Sequence, residues 1–573
     1  KAVGQVKNAT IHGVLNVEQN VEGLYICVYG TEKYEMAEIR ISVSGREVVR
    51  EKILLSPEDI FEKTYPQFAK ESLNKIKVSV VYKDQILVEY EPQEEGIPQL
   101  AQPAAAARSP EEIMTNEELY LTGQHIEQYR HATYLPDPYY IEGLKRDQGD
   151  IRINNAYGML FMRRGQFEKA EGYFQTALKR LVSLNPNPYN SEVYYNLGLS
   201  LFFQEKYKDA YDAFFKATWT NEQQEMAYYF LGLLAARTKD WDLALEFVDK
   251  SLIKNAHNIK ARGLKAAILR HMGQIDQAQS WIKENLEIDP FDFVSLFEQM
   301  FLTGNEAQSA YIERLSRGFH ETYIQTARDY GEAGFYMEAV EVLRSCPKQK
   351  PMVAYYEGYY LYKQGKLLDA KASFIEAETC CPDYCFPNKL EDIKVLSHAI
   401  HCYPQGAKAY YYLGCLYYDK LQFESAIELW EMSEKLDHEF PTVLRNLAIG
   451  YYNKLNDPAK AVEKLERAFA LNRKDARVFL ELDQLYKKTG MAPEKRLSNF
   501  EQSIDLIQER DDLYIEYVTL LNLCGKHCQA YEAIMAHTFR AWEGGEGKIS
   551  AQYKTALLEI ARTNIQENHI GEA

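Results

Sequence analysis

Residues 158–177 read GMLFMRRGQFEKAEGYFQTA and residues 198–217 read GLSLFFQEKYKDAYDAFFKA. Both place a glycine, an alanine, a phenylalanine and a second alanine at the same spacing: Gly158, Ala170, Phe174 and Ala177, then Gly198, Ala210, Phe214 and Ala217. The pattern returns as Gly232, Ala244, Val248 and Ser251, and as Ala266, Ala278, Ile282 and Asn285, with 34 residues from Gly198 to Gly232 and again to Ala266. Further copies run through Ala327 and Ala339, through Gly358, Ala370, Phe374 and Ala377, and through Gly414, Ala426 and Trp430. The last ones are Ala448, Ala461, Leu465 and Ala468, then Val518, Ala530 and Ile534. A small residue on each of two antiparallel helices lets their backbones approach, while the large apolar residues fill the space between successive pairs. Residues 111–573 are therefore expected to form an α-solenoid of stacked helical hairpins.

The spacing and the 34-residue period resemble the tetratricopeptide repeat. The resemblance implies a right-handed superhelix of about ten hairpins whose first helices line a concave wall. Near 291–320 and 383–405 the pattern breaks, and one helix is expected to lack its partner. In this family the first helix turns toward the groove the residue after the small packing position and those three or four further along. That selects Tyr195 and Phe202, Tyr229 and Arg237, and Tyr355, Tyr359, Tyr362 and Lys363 as groove-binding residues. Later repeats add Tyr411, Tyr418, Arg445 and Tyr452, with Ile449 between them. Rigid amphipathic rings make good contact surfaces for peptides and sugars alike. A carboxylate clamp of the chaperone-binding type needs basic and Asn residues at fixed groove positions, and only Asn196 has a counterpart, which disfavours that partner class.

Residues 1–93 carry a different period. Val14, Leu15 and Val17, then Leu24 to Tyr29, Ile39 with Ile41 and Val43, Ile76 to Val81, and Ile86 to Val88 alternate as half-buried strands do. About seven short strands in a small antiparallel β-sandwich are expected, with one short helix at Ser56–Ile60, where Ser and Pro give a helix-start signal. A Pro/Ala-rich run at 94–110 reads as a linker.

Composition limits the function classes. The net charge of -17, from 66 Lys+Arg against 83 Asp+Glu, argues against nucleic acid and anionic lipid as partners. Tyr is the unusual count, 43 of 573, more than Phe and Trp together. Nine Cys without dense spacing suit reduced thiols, and a cytoplasmic location is expected. Cys381, Cys385, His398 and Cys402 have the spacing of a zinc site. Leu390 to Ala399, however, reads as one amphipathic helix packed in the array, so the Cys residues are taken as small core residues. Gly544 to Lys548 lacks the glycine gap and the Ser/Thr of a phosphate loop. No catalytic residue, metal or cofactor is assigned.

A narrower resemblance rests on three strings: Glu118 to His131, Asp383 to Asn388, and Trp542 to Lys548. They are similar to those of large bacterial proteins in which a large β-rich domain, similar to sugar-handling supersandwich domains, precedes a β-sandwich and a tetratricopeptide array. The resemblance implies that any sugar-acting portion lies upstream of this chain. It also implies that Gln128, Arg130 and His131 in one loop, and Trp542 and Glu543 in another, face that domain or a partner. The resulting expectation is a non-catalytic interaction and assembly scaffold of a carbohydrate-related protein, binding a protein partner or its own upstream domain. Oligosaccharides and a second copy of the chain are further partners it would allow. The alternative is an accessory part of a glycoside hydrolase-like enzyme whose catalytic domain precedes Lys1.

Overall fold

The computed structural model describes residues 3–92, 106–129, 133–183, 185–304, 306–348, 350–508, 510–540, 545 and 547–567. The chain is mainly α, a tetratricopeptide-type solenoid preceded by an antiparallel β region in two sheets. It divides into two compact units, one formed by residues 1–148 with 218–319 and the other by 149–217 with 320–573. Most of the expected linker, from 94 to 105, lies outside the described residues.

In the first unit, strands β1 (Asn8–Ala9), β2 (Gly13–Asn20), β3 (Gly23–Gly30) and β6 (Phe61–Tyr65) form one sheet in the order β1-β2-β3-β6. Strands β4 (Tyr34–Val43), β5 (Arg46–Leu55), β7 (Ile76–Tyr82) and β8 (Gln85–Tyr90) form the other in the order β5-β4-β7-β8. All pairings are antiparallel, with Val17 opposite Ile26 and Ile39 opposite Val80. The register puts Leu15, Val17, Leu24, Ile26 and Val28 of one sheet with Ile39, Ile41, Ile76, Val78 and Val80 of the other in a shared core, each at 0% exposure. Burial of alternate residues is what the two-residue period requires.

The helix expected at Ser56–Ile60 is absent. Ser56 Oγ does accept a hydrogen bond from the Asp59 amide, at 3.1 Å, but the chain then enters β6, whose Phe61 pairs with Val28. A start signal with no apolar helical face behind it closed one turn and stopped. The loop instead carries Glu58 and Asp59 to the helix Glu306–Ser316 of the same unit. Tyr311 Oη donates to Glu58 at 2.9 Å, and Arg314 bridges Glu58 at 2.9 Å and Asp59 at 3.2 Å. Burial, with the Glu58 carboxylate second, pushes the Tyr311 phenol up to about 12.

The helices form antiparallel pairs, and the glycines explain why. A Cβ on Gly158 would lie 2.6 Å from Phe174, on Gly198 2.7 Å from Phe214, on Gly358 2.5 Å from Phe374, and on Gly414 2.6 Å from Trp430. The aromatic ring therefore fills the space a side chain would take, and Ala170, Ala210, Ala370 and Ala426 beside it are fully buried. The hairpin Asn116–Gln128 with Asp137–Arg146 uses the same device, with Gly123 against Tyr140 at 2.5 Å. Several helix starts carry side-chain caps: Asp150, Asp240, Asn258, Asp292 and Asp475 each accept from amides of the first turn.

Of the two expected interruptions, one is filled. Phe293–Thr303 and Glu306–Ser316 make a pair of their own, whereas Leu390–Cys402 is a single helix between the hairpins 351–379 and 407–436. Its start is held by Asp392, which accepts from the amides of Asn388 and Lys389 and from Tyr356 Oη at 2.6 Å. Among the described residues no helix is long and apolar enough to cross a membrane.

Candidate partner-binding groove

Within the second unit, the first helices Pro351–Lys363, Ala407–Asp419, Pro441–Asn453 and Ala476–Lys488 supply the wall on which the Tyr and basic residues were expected. Their side chains fall into two groups.

Along Pro351–Lys363 the aromatic residues are enclosed. Tyr355 is 0% exposed and donates to Glu378 at 2.6 Å, a carboxylate that also accepts from the amides of Lys408 and Ala409. Tyr359 is 3% exposed, and its hydroxyl donates to Glu205 at 3.1 Å. Lys363 Nζ donates to both oxygens of the same carboxylate, at 2.9 and 2.8 Å. Tyr362 is half-buried against the ring of His398, 5.0 Å away. Burial works against ionisation of Glu205, but the hydrogen bonds and charge of Lys363 outweigh it and hold the carboxyl below its ordinary value.

Glu205 arrives from a hairpin turn more than a hundred residues earlier in the chain. A neighbouring turn does the same: Gln422 Nε2 donates to the carbonyl of Arg164 at 2.7 Å, and a Cβ on Gly165 would lie 2.4 Å from Ile393. Gly165 has φ 73°, so it is glycine both for the left-handed turn and for the close approach. The turns of the hairpins 151–181 and 192–217 thus rest on the wall made by residues 351–422.

Further along, the wall is open. A cavity of about 260 Å³ lies between Pro441–Asn453 and Ala476–Lys488, lined by Ala448, Ile449, Tyr452 and Leu465 with Glu481, Gln484, Leu485 and Lys488. Leu465 and Leu485 are buried and make an apolar floor; Tyr452 is a half-buried wall with the Lys488 ammonium 5.0 Å from its ring centre. Ala448 packs against the second helix, which turns the next residue, Ile449, into the cavity, with Arg445 and Tyr452 one turn to either side. Arg445 makes a two-pronged pair with Glu481, at 2.7 and 2.5 Å, and Arg477 adds a third bond to that carboxylate at 3.2 Å. Arg445 and Arg477 thus share the Glu481 carboxylate, which lines the cavity together with Lys488.

The other expected residues take varied places. Tyr411 is half-buried against Phe440, 4.8 Å between ring centres, and Tyr418 packs between Phe423 and Trp430 at 4.9 and 5.2 Å. Tyr195 is half-buried beside Phe214, Phe202 is buried against Tyr207, and Tyr229 is buried at 3% beside Phe230. Phe202, Tyr229, Tyr355 and Tyr359 are thus packing residues in this structure and offer no free ring face. Arg237 is half-buried and Gln128 exposed. Arg130, His131, Trp542 and Glu543 lie outside the described residues. His398 Nδ1 is 2.7 Å from the carbonyl of Lys394, and burial pushes the Cys385 thiol up to about 12.

Several residues escaped the sequence reading. Glu205 occupies the turn position that is Gly165, Gly273, Gly334 and Gly365 in four hairpins and Lys239 and Leu421 in two others, visible once those turns are aligned. The hairpin of Ala476–Lys488 with Pro493–Glu501 was missed because an ion pair replaces the small-residue contact. Asp483 and Arg496, 3% and 2% exposed, bind through bonds of 2.8 and 2.6 Å. The Tyr surplus also has a partner in the acidic surplus: Tyr451 donates to Glu431 at 2.6 Å and Tyr486 to Glu466 at 2.7 Å, each joining a first helix to the preceding second helix.

Residues 8–90 match the family described as YphG-like protein, second domain, and residues 156–225 match the tetratricopeptide repeat. A TPR repeat-containing protein of Methanocaldococcus jannaschii is 24% identical over 299 residues, covering 46% of this chain and 52% of its own length. The chain therefore spans about half the length of that curated relative. Among solved structures, a tetratricopeptide repeat protein from Parabacteroides merdae is 16% identical with a TM-score of 0.29, covering 44% of this chain and 98% of its own. The structure of Naa15/Naa10 bound to HypK-THB is 13% identical with a TM-score of 0.23, covering 78% and 71%. The repeat match and the glycine-on-aromatic contacts agree that the helical part is a tetratricopeptide array, the architecture of a protein-interaction scaffold, following a domain similar to the second domain of YphG-like proteins.

Proposed function

We propose that this chain is a non-catalytic protein-interaction module that holds a partner peptide against Pro441–Asn453 and Ala476–Lys488. The observation that carries the reading is the cavity between those helices, with its apolar floor, one Tyr wall, and Lys488 and Glu481 in its lining. Such a site takes one apolar or aromatic side chain of an extended peptide, with acidic residues flanking it, because burial of the anchor supplies affinity and Lys488 supplies charge complementarity. Ile449, Tyr452 and Leu485 would contact the anchor, and Arg445 and Lys488 would face the acidic flank.

The test is selection from a displayed random-peptide library on the full chain, followed by titration of a selected peptide. Peptides with an apolar anchor next to Asp or Glu are expected, with binding weakened at least tenfold by Tyr452→Ala and a few-fold by Lys488→Gln. Selected peptides that bind Tyr452→Ala as well as the wild type would sink the reading. Oligosaccharides enter the same titration as competitors, and displacement of the peptide by a glycan would move the assignment to the sugar-binding role that the bacterial family resemblance implies.

A further inference from the structure

A second site lies where the groove is closed. Lys363 Nζ and Tyr359 Oη converge on one carboxylate, that of Glu205, with three hydrogen bonds of 2.9, 2.8 and 3.1 Å. The Lys394 ammonium stands 5.9 Å from the Tyr359 ring centre, and the His398 ring is wedged against Tyr359 and Tyr362. Two cations and a phenol hydroxyl thus stand around a single carboxylate, in a chain of net charge -17.

Three features indicate that the occupant is exchangeable. Glu205 and Lys363 keep 31% and 17% side-chain exposure, so water reaches the pair. Glu205 sits at φ 59° in a turn position that is Gly165 and Gly365 in two hairpins and Lys239 and Leu421 in two others, so the turn itself does not call for glutamate. The contact also comes from a turn tip: Ile151–Arg163 to Tyr207–Ala217 pack with one another, and Pro351–Lys363 packs with Leu367–Thr379 and Leu390–Cys402. A carboxylate presented on a turn, against a wall that is otherwise complete, is the arrangement of a ligand held in cis.

We propose that the cleft of Lys363, Tyr359 and Lys394 is a carboxylate-recognition site that Glu205 occupies in cis and that an acidic side chain of a partner protein occupies in its place. The inference rests on the reading of the chain as a partner-binding module, but at a site separate from the Tyr452 cavity. Displacement of Glu205 would free the Tyr362 and Lys363 stretch of wall and extend the binding surface toward the first hairpins of the unit.

The test uses the full chain and hexaglutamate as the probe at fixed low ionic strength. Glu205→Gly, which suits the turn, and Glu205→Gln, which keeps the side-chain shape, should each bind hexaglutamate at least fivefold more tightly than the wild type. Amide exchange in 351–363 and 390–402 should rise in both. Adding Lys363→Gln should abolish the gain, whereas Tyr452→Ala should leave it intact, which separates failure here from failure of the Tyr452 site. Equal binding by wild type and both Glu205 variants, absence of binding throughout, or a gain that survives Lys363→Gln overturns the proposal.

Discussion

The walls at residues 351–363 and 441–488 are built from equivalent repeat positions, yet one is covered and the other open. Tyr359 and Ile449 both directly follow the small packing residue of a first helix, Gly358 and Ala448. Tyr359 is 3% exposed beneath the turn that carries Glu205, while Ile449 lines a cavity. The difference teaches that repeat register decides which way a side chain points, and that the rest of the chain decides whether anything is free to meet it.

The two regions also differ in how their helices are joined, which gives the largest expected effect. Arg496→Ala leaves Asp483 buried without its partner and should cost about 3–5 kcal/mol in the open region. Gly358→Val forces a methyl-bearing side chain against Phe374 in the covered region and should cost about 1–3 kcal/mol. Hydrogen exchange resolved by segment measures both, since a chain of this size need not unfold in one step. If Arg496→Ala loosens 351–379 as much as 476–501, the regions are one cooperative block and the contrast fails.

Tyr451→Phe and Tyr486→Phe remove hydrogen bonds to the carboxylates Glu431 and Glu466 and should each cost about 1.5 kcal/mol, confined to the two hairpins that each bond joins. Thiol labelling sharpens the contrast from the covered side. Cys381 is exposed, whereas burial holds the Cys385 thiol near 12, so at pH 8 a maleimide should modify Cys381 quickly and leave Cys385 protonated and unreacted. Comparable rates at the two would show that the loop opens freely. The smallest effect is acid opening of the Glu205 contact. Glu205 is held below its ordinary value, so its contribution is complete above the usual carboxylate range and is lost as pH falls through the lowered value. Lys363, Lys394, Tyr359 and His398 face it, and burial holds the His398 imidazole below its ordinary value. Amide exchange in 351–363, corrected for its intrinsic pH dependence, should therefore stay level from pH 7 to about pH 5 and rise only in stronger acid.

What the sequence revealed followed what is local. Gly158 with Phe174 and Gly198 with Phe214 are neighbours within one hairpin, so their spacing carries the fold directly. The alternation of Leu24, Ile26 and Val28 carries the sandwich in the same way. The hairpin containing Asp483 and Arg496 was hidden because its contact is ionic, and a pattern of small and apolar residues cannot register it. Ser56 to Ile60 misled because a capping signal describes only a first turn. The covered wall was illegible because Glu205 and Lys363, or Arg164 and Gln422, are far apart in the chain, and no periodicity links them. The one trace in the sequence is a glutamate at a turn position that is Gly165, Gly273, Gly334 and Gly365 in some hairpins and Lys239 and Leu421 in others.

The central claim is that the open wall receives the apolar anchor of a partner peptide. Hydrogen exchange of the full chain with and without a library-selected peptide tests it most directly. Protection concentrated in 441–453 and 476–488, with 351–363 and 390–402 unchanged or loosened, is the predicted result; protection confined to 351–363 and 390–402, or absent from 441–488, would contradict it.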